Sequence, residues 1–246
     1  MPISLIPVEI LSIYFDKDKQ RVNLFKRLAQ CTPDTKAAVM NVKAELDAKG
    51  VKLFLSDMFR SHDMQLQAHI ENAKKGVFSP LPGGSMHEAG RAIDLDLDAL
   101  LAGGILSLKD FWDIADRHGF FPIVGQPNSG LKEAWHFDCR GSHNKVRQYY
   151  IDGKGGSGMK PYQAMAASAI LAIGVQVDRF QNQKGAAIQS ALIRLDHELG
   201  ALDGGIGDKT KKALEEAGVP FGADEDAMLS ALETQLQQKF PEEFAA

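Results

Sequence analysis

The stretch Ser85-Met-His-Glu-Ala-Gly-Arg-Ala-Ile-Asp94 contains residues that could bind a metal ion. A helical zinc motif would need a second histidine four residues after His87, but that position is Arg91. Other ligands must therefore come from elsewhere. Asp94 is one candidate, because it lies among apolar residues, where a carboxylate is costly unless it is paired or coordinated. The alternatives are that His87 is a polar loop residue and that Asp94 faces water on an edge strand.

A second segment, Glu133-Ala-Trp-His136, supplies a histidine and a further carboxylate. A neutral imidazole nitrogen of His136 could bind the metal, which leaves Glu133 free to act as a general base. Three protein ligands and one open position are the arrangement of catalytic zinc, which activates water and polarises a carbonyl. We therefore predict one Zn²⁺ bound by His87, Asp94 and His136. Glu88 is interpreted as a solvent-exposed loop carboxylate.

These two segments resemble the paired motif of the LAS-type zinc peptidases. Every fixed position of SxHxxGxAxD is present in residues 85–94, and every fixed position of ExWH is present in residues 133–136. The similarity is to the branch of D-alanyl-D-alanine carboxypeptidases and L-alanyl-D-glutamate endopeptidases. It implies an LAS (hedgehog-like) peptidase fold, the three zinc ligands named above, and Glu133 as the catalytic base.

The resemblance also implies an arginine upstream, and Arg60 in Ser56-Asp-Met-Phe-Arg-Ser61 matches that element. The family more often has Gly-Tyr where this chain has Met58-Phe59. A fixed guanidinium could stabilise the oxyanion that develops when a peptide is hydrolysed, or could bind a substrate carboxylate in a bidentate manner. The alternative is a surface arginine that follows a strand.

Three further residues are candidates for substrate binding. Ser85 could hydrogen-bond the substrate or a ligand, or could be a turn serine. Gln65 could contact the substrate, or could be an exposed helix residue. Trp135 could form a wall of the cleft, although core packing is the usual role of tryptophan. Asp138 could orient a ligand histidine, or could simply end a strand.

Helices and strands alternate irregularly in the first part of the chain, which favours the α+β class. Polar and apolar side chains alternate along the predicted strand 92–97, so that Asp94 points to the side opposite Ile93. With the resemblance, we expect a small antiparallel sheet with flanking helices. The predicted helices are 34–49, 62–75 and 107–118, and the predicted strands are 51–55, 92–97 and 135–138.

The glycine-rich stretch Asp152-Gly-Lys-Gly-Gly-Ser-Gly158 indicates a linker, although a loop within one domain is the alternative. We predict a zinc peptidase domain at 1–151, a linker at 152–160 and a small all-α three-helix bundle at 161–246. Its helices are expected from Ile188 to Leu199, ended by Gly200, then from Asp208 as N-cap to Gly218, and over 224–240.

This second part resembles a peptidoglycan-binding domain of the three-helix kind. The positions of its motif Asp-Gly-x-x-Gly-x-x-Thr-x-x-Ala-Leu are Asp203, Gly204, Gly207, Thr210, Ala213 and Leu214. The first helix departs from the usual length, and most motif residues serve the fold. A structural or partner-docking role is therefore the alternative to wall binding. The resemblance implies peptidoglycan as the partner.

Composition narrows the class of protein. The formal net charge of −4 gives no reason to expect a nucleic acid partner, and no apolar run is long enough to span a membrane. Two cysteines exclude a disulfide-rich scaffold. The N-terminal segment lacks the features of a classical signal peptide. We therefore expect synthesis in the cytoplasm and action on the cell wall after lysis or dedicated secretion. No oligomeric state is predicted.

The predicted function is a zinc-dependent peptidoglycan hydrolase that cuts the murein stem peptide. It would act as an L,D-endopeptidase, as in phage endolysins, or as a D,D-carboxypeptidase. The alternative is a non-catalytic zinc protein for cell-wall binding or assembly, although Glu133 argues against it because binding requires no base.

Overall fold

A computed structural model describes residues 2–177, 182–220, 222 and 224–245. It is a mixed α/β structure, as predicted. The strands are β1 (Ile6–Pro7), β2 (Leu11–Phe15), β3 (Arg21–Asn23), β4 (Gln30–Cys31), β5 (Leu55–Asp57), β6 (Ala92–Leu95), β7 (Phe120–Pro122) and β8 (His136–Cys139). The helices are α1 (Pro33–Ala48), α2 (His62–Lys74), α3 (Leu97–Leu101), α4 (Leu108–Arg117), α5 (Asn144–Ile151), α6 (Pro161–Ala172), α7 (Gln183–Arg194), α8 (Asp208–Glu216) and α9 (Glu225–Lys239).

Six strands form the larger sheet, in the order β3-β2-β5-β6-β8-β7. Strands β2 and β5 run parallel, with Ser12 opposite Leu55, and the other neighbours are antiparallel. The prediction of a small antiparallel sheet is therefore confirmed only in part, because this larger sheet is mixed. The short strands β1 and β4 form a separate antiparallel pair.

The register of the central strands brings the site residues together. In the β6–β8 pair Asp94 lies opposite His136, and in the β5–β6 pair Asp57 lies opposite Asp94. Paired residues on neighbouring strands are separated by about 5 Å between their Cα atoms. Backbone pairing alone thus places three polar side chains in adjacent positions across the middle of the sheet.

Strands β6 and β8 are buried along their whole lengths. Phe137 of β8 packs edge-to-face against Phe111 of α4, with ring centroids 5.1 Å apart. Helix α4 begins with a capping box between Ser107 and Asp110. A helix with a defined start supports these strands, and such rigid elements hold side chains more accurately than loops do.

Most predicted elements are present, with different ends. Helices α1, α2 and α4 match 34–49, 62–75 and 107–118 to within one residue. The strand predicted at 51–55 begins only at Leu55. Beyond residue 160 the described residues form four helices, one more than the predicted bundle, because 161–172 is helical.

Two predicted features of the last helices were wrong. Helix α7 ends at Arg194, because Asp196 adopts a left-handed conformation with φ of 73°, and the helix does not reach Gly200. The buried Leu199 instead lies in a loop, where the hydroxyl of Tyr149 contacts its backbone amide and carbonyl groups. The N-cap of α8 is Gly207, and Asp208 is the first helical residue.

The contacts between residues divide the chain into two compact units. Among the described residues, one unit comprises those within 2–4, 61–89 and 141–245, and the other comprises 5–60 and 90–140. The first contains α2 and α5–α9, and the second contains both sheets with α1, α3 and α4. This division follows contacts rather than chain order, and the predicted boundaries at 152–160 stay a prediction.

Both cysteines are buried free thiols. Burial, together with Cys139 and Asp34, raises the pKa of Cys31 to about 12. Cys31 is therefore a neutral thiol at physiological pH. In the described part of the chain, no helix has the length and apolar character needed to cross a membrane.

Candidate metal centre

The side chains of His87, Asp94 and His136 form a buried group. Each offers one ligand atom, and these atoms lie within 4.8 Å of one another. Ligand atoms on one tetrahedral zinc ion are about 3.4 Å apart when each bond is about 2.1 Å long. The ligand atoms therefore need to approach one another by no more than about 1.4 Å to share an ion, and two imidazoles with one carboxylate are a donor set suited to zinc.

His136 lies between two carboxylates. Its Nδ1 is 2.8 Å from Oδ1 of Asp94, and its Nε2 is 2.9 Å from Oδ1 of Asp138. Burial would lower the pKa of His136, but hydrogen bonds with Asp138 and Asp94 raise it to about 10. The two carboxylates therefore favour the protonated ring, and a metal ion bound at Nδ1 would compete with that proton.

Asp138 contacts the second imidazole nitrogen of His136. It lies two residues after His136 on β8, on the same side of the strand. A carboxylate bonded to the second imidazole nitrogen fixes the ring plane and the tautomer of a metal-bound histidine. The contact agrees with the role suggested for Asp138 from the sequence.

Arg60 follows β5 and contacts the group directly. Its Nη2 donates to Oδ2 of Asp94 at 2.7 Å, and its Nε donates to Asp57. Burial would lower the pKa of Arg60, but Asp94 and Asp57, together with Glu133, raise it above its ordinary value. The guanidinium is therefore a permanent positive charge beside a candidate metal ligand.

Glu133 occupies a turn just before β8 and has a left-handed backbone, with φ of 67°. Its carbonyl oxygen accepts a hydrogen bond from the amide of His136 at 3.0 Å, and the carbonyl of Trp135 accepts one from Leu95. A left-handed conformation costs a residue other than glycine about 1 kcal/mol and is common at functional sites. The turn is therefore tied to both β8 and β6.

The three predicted substrate-binding residues have different surroundings. Trp135 is half-buried in the turn before β8. Ser85 is buried, and its Oγ accepts from the amide of His87 at 3.3 Å. Gln65 is fully buried, and its amide nitrogen donates to the carbonyl of Pro80 at 2.8 Å. Through that contact Gln65 supports the loop at Pro80, which leads into the turn that contains His87. A role of Gln65 in substrate binding stays a prediction.

Sequence reasoning missed two residues of this region. Asp57 contacts Arg60 from three residues upstream, a spacing that was visible in the sequence. Glu88 was interpreted as exposed, which was wrong, since its exposed fraction is 4%. The pattern Ser-x-x-Glu at residues 85–88 was the signal that could have identified its contacts.

Comparison with models of known protein families gives no match, and no curated protein is significantly similar to the chain. The geometry of these residues and the motif resemblance are therefore the two indications of function.

Proposed function

We propose that this protein is a zinc-dependent peptidoglycan peptidase that hydrolyses a peptide bond of the murein stem peptide. The observation that carries the proposal is the buried group of His87, Asp94 and His136, with Arg60 bonded to Asp94. Arg60 balances the charges of Asp57 and Asp94, and it also leaves a fixed guanidinium at the site, which would suit the stabilisation of developing negative charge.

The protein residues divide the chemistry among them. His87, Asp94 and His136 would bind zinc, and Asp138 would orient the imidazole of His136. Zinc, when bound, supplies Lewis-acid activation of the attacking water and of the scissile carbonyl. Glu133 would take a proton from the water at its carboxylate and pass it to the nitrogen of the leaving amine.

Arg60 would interact with negative charge on the substrate. Its contacts with Asp57 and Asp94 fix the plane of the guanidinium. From that position it would stabilise the oxyanion of the tetrahedral intermediate or bind a substrate carboxylate, and such electrostatic contacts contribute about 3 kcal/mol. The second use would require a substrate with a free carboxyl group close to the bond that is cut.

The C-terminal module supports peptidoglycan as the substrate through its motif. Its Asp203-Gly204 turn is built around the buried Gln189, whose Oε1 accepts from both backbone amides, at 3.1 and 2.8 Å. These contacts tie the turn of the motif to α7 and thus serve the fold. Binding of the module to the wall, and action there after lysis or dedicated secretion, belong to the proposal.

Digestion of purified muropeptides by the zinc-loaded protein, analysed by mass spectrometry, tests this function. We expect cleavage within the stem or loss of terminal D-alanine, and the product masses identify the bond. Glu133→Gln preserves the shape of the side chain and should lower the rate about 100- to 10,000-fold while zinc stays bound.

Glu71→Gln is the matched control, because Glu71 is an exposed carboxylate on α2. This variant should cleave muropeptides at the rate of the wild type. Intact muropeptides with zinc bound to the wild-type protein would contradict the peptidase and favour a zinc protein that only binds the wall. Equal rates for Glu133→Gln and wild type would contradict the role of Glu133.

A further inference from the structure

Glu88 is a buried carboxylate next to the candidate ligand His87. Its Oε2 accepts from the backbone amides of Gly83 at 2.8 Å and Ser85 at 3.3 Å, and its Oε1 accepts from Gly83 at 3.0 Å. A carboxylate removed from water is costly unless hydrogen bonds compensate it. These contacts supply that compensation and at the same time satisfy two buried backbone donors.

The side chains of Ser85 and Glu88 both cap the turn that contains His87. Residues Met86–Ala89 make one 3₁₀ turn, and Ser85 directly precedes it. The Oγ of Ser85 accepts from the amide of His87, while the carboxylate of Glu88 accepts from the amide of Ser85. The contact of Glu88 with Ser85 is one half of a capping box, whereas the hydroxyl of Ser85 accepts from His87 and not from the amide of Glu88.

The cap also fixes the loop that leads into the turn. Gly83 has a φ of 91°, which favours glycine, and its amide points at Glu88. A single 3₁₀ turn has too few hydrogen bonds of its own to be rigid. The carboxylate of Glu88 is therefore one of the groups that hold the backbone around His87.

We infer that Glu88 is a positioning residue that presets the backbone of His87 for metal binding. The inference rests on the metal site of the proposed function. It assigns Glu88 no contact with substrate or metal. Loss of its carboxylate should leave the turn free to move, so that part of the binding energy is spent in ordering His87.

The test compares zinc dissociation constants, measured by competition with a chromophoric chelator, for the full chain and three variants. Glu88→Ala removes the cap, and Glu88→Gln keeps one acceptor oxygen at the same length. Glu71→Ala is the control, because Glu71 is an exposed carboxylate on α2. Circular dichroism and thermal unfolding of the metal-free variants separate loss of positioning from loss of folding.

We expect the zinc Kd of Glu88→Ala to rise about tenfold, with Glu88→Gln in between and Glu71→Ala unchanged. A wild-type Kd for folded Glu88→Ala would overturn the inference. If Glu88→Ala does not fold, a Kd for Glu88→Gln equal to that of the wild type would overturn it, and a rise of about threefold would support it.

The outcome is separable from the proposed activity because no peptide is cleaved in the assay. A wild-type protein that binds zinc but leaves muropeptides intact contradicts the peptidase alone. Failure of the wild-type protein to bind zinc contradicts both proposals.

Discussion

At the residue scale, Arg60 connects the predicted metal site to the predicted chemistry. Its guanidinium is planar, and its two described carboxylate contacts, with Asp57 and Asp94, use different nitrogens. Lysine has a single ammonium group on a flexible stem and cannot make both contacts with the same geometry. The position should therefore require arginine rather than positive charge alone.

The variant Arg60→Lys tests this requirement in the proposed peptidase. We expect kcat/KM on muropeptides to fall about 100-fold, because the charge is retained but is no longer fixed in place. Zinc content, measured by atomic emission, should stay near one ion per chain. Arg117→Lys is the control, since Arg117 is a surface arginine paired with Glu45. An unchanged kcat/KM for Arg60→Lys would show that fixed geometry is unnecessary.

The sequence predicted the residues of the metal group because ligand chemistry limits them to a few types at recognisable spacings. His87, Asp94 and His136 belong to that class, and the structure brings them together. The supporting contacts were harder to predict. Asp57 is a partner of Arg60 only because β5 ends where it does, and the burial of Glu88 depends on a loop that folds back over it.

At the element scale, the predicted helices with an apolar face and a clear start were correct. Helix α6 was missed because Ala164 to Ile170 are buried in succession, so there is no alternation between polar and apolar faces to detect. The end of α7 was predicted too late, because Leu199 continues the helical spacing by coincidence. Tertiary contacts of that leucine, invisible in the sequence, decide its place.

The glycine of the SxHxxGxAxD motif gives a prediction at this scale. Gly90 has a φ of 63°, and an added Cβ would lie 2.7 Å from Leu5 and 3.0 Å from the Cα of Cys31. Gly119 also has a positive φ, 81°, but an added Cβ would meet nothing within 4 Å. The two positions therefore share backbone strain and differ in packing.

We expect Gly119→Ala to lower the free energy of unfolding by about 1 kcal/mol, from backbone strain alone. Gly90→Ala should cost about 2 kcal/mol more, because the neighbouring backbone has to move. Urea unfolding followed by circular dichroism measures both values. Equal losses for the two variants would mean that the contact with Cys31 and Leu5 relaxes without cost.

At the scale of the whole molecule, the sequence predicted a mixed structure but not the order of its strands. The parallel pairing of β2 with β5 joins Ser12 to Leu55, and no local signal specifies a contact over that separation. Antiparallel pairs between near neighbours are easier to anticipate, since a turn enforces them. The functional assignment likewise depends on residues that are distant in the chain.

Convergence of distant ligands has a consequence for the stability of the whole chain. An unfolded chain does not bring together His87, Asp94 and His136, so zinc should bind the folded form preferentially. At a free zinc concentration of 100 times Kd, this preference adds about 2.7 kcal/mol to the free energy of unfolding. The addition corresponds to a rise in Tm of about 5 to 10 °C.

Scanning calorimetry of the chelator-treated protein, with and without added zinc, measures this rise. His87→Ala should abolish it, whereas His62→Ala should preserve it, because His62 is a partly exposed residue at the start of α2. A zinc-dependent rise of the same size in His87→Ala would mean that the ion binds elsewhere in the protein. The three distant ligands would then have no metal to explain their burial together.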